Sequence, residues 1–134
     1  MKRRKPIWIE ARDVLAIHDR LLAVHGGRPG LRDEGLLQSA LARPLQYRAC
    51  ADQSDVIEMA SLNTAGIVRN HPFVDGNKRT GFVTGVLFLE LNGFSFMASE
   101  EDATQAVLGL AGGTLDEAAY TAWLRANSKR GRSR

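Results

Sequence analysis

The apolar run from Phe82 to Leu91 is the feature that most constrains what this chain can fold into. It is longer than a typical strand of about five or six residues, and the Asn92-Gly93 pair that follows it is common at helix ends. Few positions in the run are polar, which is typical of a helix surrounded by other helices. We therefore expect Lys78–Leu91 to form a buried central helix.

Helical signals recur along the rest of the chain. Apolar residues at intervals of three and four predict a helix from about Asp13 to His25. Asp33 is a candidate N-cap for a helix from Glu34 to Arg43, which Pro44 should end, because proline disfavours helical geometry at the residue before it. Three further pairs have the spacing of helix starts: Asp55 with Glu58, Ser99 with Asp102, and Thr114 with Glu117.

Only short segments favour extended structure. Ile7–Ile9 is a candidate edge strand, Phe94–Met97 a candidate extended segment, and Gly26–Arg32 a loop or hairpin between two helices. With 134 residues and no internal repeat, the chain is expected to form one domain, 1–134. The sequence predicts an all-α fold: a compact helical bundle around a buried central helix, with minor β-hairpin or flap elements.

The positive charge of the chain is concentrated at its ends. A net charge of +3 could indicate nucleic-acid binding, but eight of the 18 lysines and arginines lie in residues 2–5 and 129–134. The remaining 10 basic residues stand against 15 acidic ones, which gives the rest of the chain a charge of −5. We therefore expect basic, disordered tails at about 1–5 and 128–134, and no nucleic-acid partner.

The sequence also indicates in which cellular compartment the protein is expected. Its longest apolar run falls short of the roughly 20 residues needed to cross a bilayer, and its N-terminus lacks a signal-peptide pattern. The single cysteine, Cys50, has no partner for an internal disulfide, which is typical of a reducing compartment. The expected location is the cytoplasm, without membrane association.

The segment from His71 to Gly81 carries the most informative chemistry. Lys78 and Arg79 lie in the first turn of the predicted central helix, where cations oppose the helix dipole and an anionic ligand would reverse that balance. Asp75 is the carboxylate of the segment and the natural ligand for a Mg²⁺ ion shared with a nucleotide. His71 can accept a proton from an attacking hydroxyl. Together these residues indicate phosphoryl or nucleotidyl transfer.

Neighbouring residues are expected to have structural roles. Phe73 is a candidate core anchor for the loop, and Pro72 a candidate for stiffening it. His18 and His25 have no acidic or cysteine partners at useful spacing, so both histidines are expected to be structural.

The segment resembles the signature of the Fic superfamily, His-Pro-Phe-x-Asp/Glu-Gly-Asn, followed by a variable position, Arg and, two positions later, Gly. Every specified position is present in His71–Gly81. Lys78 occupies the variable position and is similar to the Doc (death-on-curing) branch, whereas most adenylyl-transferring members have glycine there. The resemblance also covers Gly26–Asp33 and Leu91–Gly93.

The resemblance implies an activity, partners and roles. Doc-like proteins are small all-α toxins of toxin and antitoxin pairs, which use ATP and Mg²⁺ to phosphorylate a threonine of the translation elongation factor that delivers aminoacyl-tRNA. A Phd-like antitoxin is therefore an expected partner. His71 would be the general base and Asp75 the metal ligand, with Lys78 and Arg79 also catalytic. The phosphates would be held by Gly76, Asn77, Lys78, Arg79 and Gly81, and the target would align on a flap of Arg28, Pro29, Gly30, Leu31 and Arg32.

Two alternatives stay open. Pro72, Gly76 and Gly81 are nearer the general Fic pattern than the Doc pattern, which keeps adenylyl transfer as the alternative activity. A catalytically idle binding module is the other, and the intact motif disfavours it. The nearest match to the self-inhibitory motif of Fic proteins, Ser54–Glu58, is followed by Met59 where Gly or Asn is required. Inhibition is therefore expected in trans, from the antitoxin.

Overall fold

The structure, a computed structural model, describes residues 5–52 and 54–131. Over these residues the chain forms six helices and one small antiparallel sheet, which confirms the predicted all-α fold. In chain order the elements are α1 Ala11–His25, α2 Glu34–Cys50, α3 Val56–Asn70, α4 Asn77–Leu91, β1 Phe94–Phe96, α5 Glu100–Gly112, α6 Glu117–Ala126 and β2 Ser128–Arg130. None of the helices described is both long enough and apolar enough to span a membrane.

The buried central helix is α3, which packs against α2, α4, α5 and α6. Ten residues of α3 are buried, against seven of α4. The expectation that α4 is enclosed on nearly every side is therefore wrong, since Val83, Val86 and Leu87 remain partly exposed. Small residues on α3, including Ala60 and Gly66, let neighbouring helices approach it closely, and this places it at the centre of the bundle.

Helices α3 and α4 cross at close range. A Cβ atom added to Gly85 would overlap the Thr64 hydroxyl and lie 2.8 Å from the carbonyl oxygen of Ala60. Across the same contact, the Thr64 hydroxyl donates a hydrogen bond of 2.8 Å to the carbonyl oxygen of Gly81. This crossing fixes the end of α3 relative to the start of α4.

Helix α2 continues past Pro44 to Cys50, so the predicted end at Arg43 is wrong. A proline inside a helix removes one hydrogen bond and costs roughly 3 kcal/mol. Pro44 is nevertheless buried, and α2 packs along α3. Burial against the bundle offsets the local cost, because packing rather than propensity supplies most of the stability of a protein helix.

The segment Ile7–Ile9 forms no strand within the described part of the chain, contrary to expectation. Instead, the Asn92 side-chain amide donates to the carbonyl oxygen of Ile7 at 3.0 Å, and its oxygen accepts the Ile7 N–H at 2.7 Å. One side chain thus takes the place of a neighbouring strand.

The C-terminal tail is more ordered than expected, because Ser128–Arg130 pairs with β1. In this register Arg130 lies opposite Phe94, and its guanidinium is 5.0 Å from the centre of the Phe94 ring. Such cation–π contacts contribute roughly 0.5–1 kcal/mol at exposed sites. Residues 1–4 and 132–134, the outer parts of the two expected tails, lie outside the described residues.

Side chains cap most helix starts as the sequence predicts. Asp33, Asp55 and Ser99 each accept a first-turn N–H, at the starts of α2, α3 and α5. The start of α6 differs from expectation, since Asp116 rather than Thr114 accepts the N–H of the first turn.

Candidate active site

The predicted catalytic segment joins the end of α3 to the start of α4. His71, directly after α3, has a left-handed backbone with φ 52° and ψ 57°. Among the described residues it is the only non-glycine residue with positive φ. That conformation costs an L-amino acid roughly 1–2 kcal/mol, so surrounding contacts must hold it.

Arg32 supplies such contacts. Its Nε donates to the carbonyl oxygen of His71 at 2.7 Å, and its Nη2 donates to that of Asn70 at 3.0 Å. The backbone N–H of Arg32 donates to the carbonyl oxygen of Pro72 at 2.6 Å. Arg32 is therefore in contact with three consecutive residues at the end of α3.

The Asn77 side chain organises the loop from within. Its Oδ1 accepts the Phe73 N–H at 2.9 Å, and its Nδ2 donates to the Phe73 carbonyl oxygen at 2.9 Å. Asn77 is 4% exposed and Phe73 is 1% exposed. The prediction that Phe73 anchors the loop in the core is thus confirmed. Because the Asn77 side chain is bound to Phe73, only the backbone N–H of Asn77 is left to contact a phosphate.

The imidazole of His71 is exposed, and its Nδ1 lies 3.2 Å from Asn77 Nδ2. The contacts with Phe73 fix the orientation of the Asn77 amide, so the group that faces His71 is a donor. Nδ1 therefore accepts a hydrogen bond. The network assigns the proton of the neutral ring to Nε2.

Asp75 is exposed, and both of its carboxylate oxygens accept backbone hydrogen bonds. Oδ2 accepts the Arg28 N–H at 3.0 Å, and Oδ1 accepts the Gly76 N–H at 2.9 Å. The Arg28 N–H, and after it the Gly76 N–H, lower the pKa of Asp75 below its usual value. The carboxylate is therefore charged at neutral pH, as a metal ligand must be.

His18 supports the same loop from helix α1. Its buried ring stacks on Phe73 with centroids 3.8 Å apart, and its Nε2 lies 2.8 Å from the carbonyl oxygen of Asp75, to which it donates. The structural role expected for His18 is confirmed, but its place beneath the site was not foreseen. No local sequence signal could have shown this position, since 57 residues separate His18 from Asp75 along the chain.

The start of α4 is open to an anion. In the part of the chain that the structure describes, no side chain caps this helix, and its first turn holds no acidic residue. The first N–H groups of a helix lack partners within it and carry positive partial charge. Lys78 and Arg79 are exposed beside them. We call this group, the α4 N–H groups with Lys78 and Arg79, the anion mouth.

Gly81 does not lie at the anion mouth. It is buried in the contact with α3, where an added Cβ would stand 3.0 Å from Val68 Cγ2 and 3.1 Å from the Thr64 carbonyl oxygen. The structure therefore gives Gly81 a packing role and does not bring it to the anion mouth. Gly76 does lie there, as the N-cap of α4 with φ 79°.

The predicted flap lies beside the motif loop. Leu31 forms an antiparallel bridge with Phe73, and the Val74 N–H donates to the carbonyl oxygen of Gly30 at 3.0 Å. The flap residues Arg28, Pro29, Gly30, Leu31 and Arg32 are all exposed. The fold thus brings together His71, Asp75, the anion mouth and the flap.

The donor set fits magnesium better than a metal bound wholly by protein. Among the described residues no three His, Cys, Asp or Glu side chains cluster as ligands. Mg²⁺ usually takes one or two carboxylates together with substrate phosphates and water. The exposed carboxylate of Asp75 beside the anion mouth suits that arrangement.

Comparison with known proteins identifies the family of this chain. The family model described as Fic/DOC family matches residues 8–89. The chain is 31% identical over 117 residues to "Protein kinase doc" of Escherichia phage P1, a match that covers 87% of this chain and 92% of that protein. It is 37% identical over 82 residues to "Toxin Doc" of Mycolicibacterium smegmatis, covering 60% of this chain and 62% of that protein.

This protein therefore belongs to the Fic/DOC family. Within the family it falls in the Doc branch, as the lysine at position 78 predicts.

Proposed function

We propose that this protein is a cytoplasmic Doc-type toxin, which transfers the γ-phosphate of ATP to a threonine or serine hydroxyl of the elongation factor that delivers aminoacyl-tRNA, and so arrests translation. The observation that carries the proposal is the uncapped, cationic start of α4 beside the exposed imidazole of His71. The names of the two similar proteins, a protein kinase and a toxin, support this activity.

His71 would act as the general base. It needs an unprotonated ring nitrogen, and in the structure that nitrogen is Nδ1, which accepts from Asn77. The target hydroxyl must therefore displace the Asn77 amide from Nδ1, or meet Nε2 after the ring proton has moved to Nδ1, which also breaks the bond from Asn77. Positioned bases of this kind contribute roughly 10²- to 10⁴-fold in rate.

Asp75 and the anion mouth would hold the nucleotide. Asp75 would ligate Mg²⁺, which, when bound, supplies charge neutralisation at the phosphate oxygens. The α4 N–H groups, Lys78 and Arg79 would bind the phosphates and orient the γ-phosphoryl group towards the hydroxyl. Lys78 also occupies space that glycine leaves free in other members of the superfamily, and this favours phosphoryl over adenylyl transfer.

The flap would align the target. Its backbone pairs antiparallel with the motif loop over residues 30–32, through the bridge between Leu31 and Phe73. An exposed, extended backbone of this kind can pair with a segment of a partner protein.

Control by an antitoxin in trans is part of the proposal. Glu58, the glutamate nearest to a self-inhibitory pattern, lies in the first turn of α3, whereas His71 follows the last turn. At 1.5 Å per residue, roughly 20 Å of helix separates them. Since Glu58 cannot reach the anion mouth, inhibition by a Phd-like antitoxin is expected. Co-expression of a short neighbouring reading frame should suppress growth arrest, and arrest that persists with every adjacent frame present would contradict this.

The activity is tested by the intact mass of the elongation factor after incubation with ATP, Mg²⁺ and this protein. A gain of one phosphate is expected, with label transferred from γ-labelled ATP and none from adenine-labelled ATP. A gain of one nucleotide would instead establish adenylyl transfer, and no gain would refute the proposal. The variants are His71→Ala, as the inactive control, and Lys78→Gly, in which adenylylated product should begin to appear.

A further inference from the structure

The side chain of Arg32 spans the last carbonyl of α3 and the one after it, although Arg32 belongs to the flap. Its Nε reaches the His71 carbonyl oxygen at 2.7 Å and its Nη2 the Asn70 carbonyl oxygen at 3.0 Å. We propose that Arg32 is a positioning residue, which fixes the orientation of the His71 imidazole and couples the flap to the catalytic base. This inference rests on the proposed function for its meaning in catalysis.

The chemistry at the end of α3 suits an arginine in particular. The last carbonyl groups of a helix lack partners within it and carry negative partial charge. A guanidinium is a planar fork that can donate to two acceptors at once, whereas an ammonium acts as a point charge. Asn70 is held further by its side chain, whose Nδ2 donates to the carbonyl oxygen of Leu36 at 3.0 Å.

The bond from Arg32 bears directly on the conformation of His71. The left-handed backbone of His71 is disfavoured for a residue with a Cβ atom, and a turn of its carbonyl group would break the bond with Nε. With the backbone held, the ring lies with Nδ1 against Asn77. Without that hold, we expect the ring to leave Asn77 for part of the time.

The coupling to the flap follows from the backbone contacts. Arg32 and Asp33 both donate their N–H to the carbonyl oxygen of Pro72, at 2.6 Å and 3.0 Å. A target segment laid along the flap would press on the backbone that carries Arg32. The guanidinium donates to carbonyl oxygens of this chain itself, and this distinguishes the proposal from a role in docking the target alone.

The test compares Arg32→Gln and Arg32→Lys with a matched control, Arg12→Gln. The Arg12 side chain is 86% exposed and forms an ion pair with Glu10, whose side chain is 63% exposed. The readout that does not depend on activity is the ¹⁵N NMR spectrum of the histidine rings, with the His71 signals identified by their loss in His71→Gln. In the wild type, neutral His71 should show its proton on Nε2.

In Arg32→Gln, the His71 signals should shift towards an average of the two tautomers, and kcat should fall roughly 10- to 100-fold, as small misplacements of catalytic groups do. The KM for ATP should not change. In Arg32→Lys, kcat should fall less and the His71 signals should shift less, because an ammonium can still donate to one carbonyl. Arg12→Gln should match the wild type in both measurements.

Several outcomes would overturn the inference. Unchanged ring signals and kcat in Arg32→Gln, with a raised KM for the elongation factor, would leave Arg32 as a docking residue only. Loss of folding in both Arg32 variants, but not in Arg12→Gln, would make it a structural residue. If the wild type transfers no phosphate, the proposed function fails, while the ring spectra still decide whether Arg32 positions His71.

Discussion

The starts of helices α3 and α4 differ in whether a side chain binds their first N–H groups. At the start of α3, the Asp55 side chain accepts the N–H groups of Ile57 and Glu58, and Arg125 donates to its other oxygen at 2.6 Å. Helix α4 follows Gly76, its N-cap residue, with no side-chain cap among the described residues. One helix start is built for stability, and the other leaves its N–H groups open.

The charges at the two starts differ in the same way. The first turn of α3 carries Glu58, which the helix dipole favours, whereas that of α4 carries Lys78 and Arg79, which the dipole opposes. Functional sites are where a sequence breaks the rules that it keeps elsewhere. The contrast supports the proposal that residues at the start of α4 serve a ligand, and it predicts that substitutions at the two starts have opposite effects.

The largest effect is expected from His71→Ala, beside the open start. The rate of phosphoryl transfer should fall by roughly 10²- to 10⁴-fold, because the proton acceptor is lost. The free energy of unfolding should change little, since the ring is exposed. Single-turnover transfer and urea denaturation measure the two quantities, and a variant that folds and transfers at the wild-type rate would remove His71 from the mechanism.

Lys78→Glu should change stability and binding in opposite directions. A carboxylate in the first turn of α4 should raise the free energy of unfolding by roughly 0.3–1 kcal/mol. Affinity for Mg-ATP should fall at least about tenfold, which is roughly 1.4 kcal/mol. Calorimetric titration measures the affinity, with Arg12→Glu as a control of equal charge change. Equal losses of affinity in both variants would mean that only net charge matters.

Asp55→Ala should show the reverse pattern at the capped start. Loss of the cap and of the bond from Arg125 should lower the free energy of unfolding by roughly 0.5–2 kcal/mol. The rate of transfer below the melting temperature should stay the same. Asp52→Ala, at an exposed aspartate, is the control. Loss of activity without loss of stability in Asp55→Ala would contradict the difference between the two helix starts.

The smallest effect concerns pH at the open start. The N–H of Arg28, and after it that of Gly76, lower the pKa of Asp75, so these bonds stabilise the fold above the ordinary carboxyl pKa of roughly 3.9. That stabilisation is lost as the pH falls through the lower pKa of the folded state. Protection of the Arg28 amide against hydrogen exchange should therefore decrease in that acidic range. In Asp75→Asn, the protection of the Arg28 amide should be weak at every pH. Protection of this amide in the wild type that did not change with pH would contradict the assignment.

The sequence predicted most of what depends on local chemistry. The caps at Asp33, Asp55 and Ser99 were identified correctly because an N-cap acts within its own turn. The motif from His71 to Asp75 could be placed between two helices, since its signals are contiguous. The flap was found only through family resemblance, and the structure shows its contact with Phe73.

The features that the sequence did not predict depend on residues far apart in the chain. Pro44 remains helical because α2 is buried along α3, and β2 forms because β1 lies beside it. The place of His18 under the loop depends on ring stacking across the fold. The inward direction of Asn77 follows from two hydrogen bonds with Phe73, which a motif pattern does not specify.

The close crossing of α3 and α4 has a genetic consequence. A side chain at Gly85 would push the two helices apart, and would so separate the His71 imidazole at the end of α3 from the proposed phosphate-binding start of α4. Cells that survive the proposed toxin should therefore often carry lesions at this glycine, about one turn of helix beyond Gly81, where the signature motif ends. Temperature-sensitive alleles would be expected at the same position.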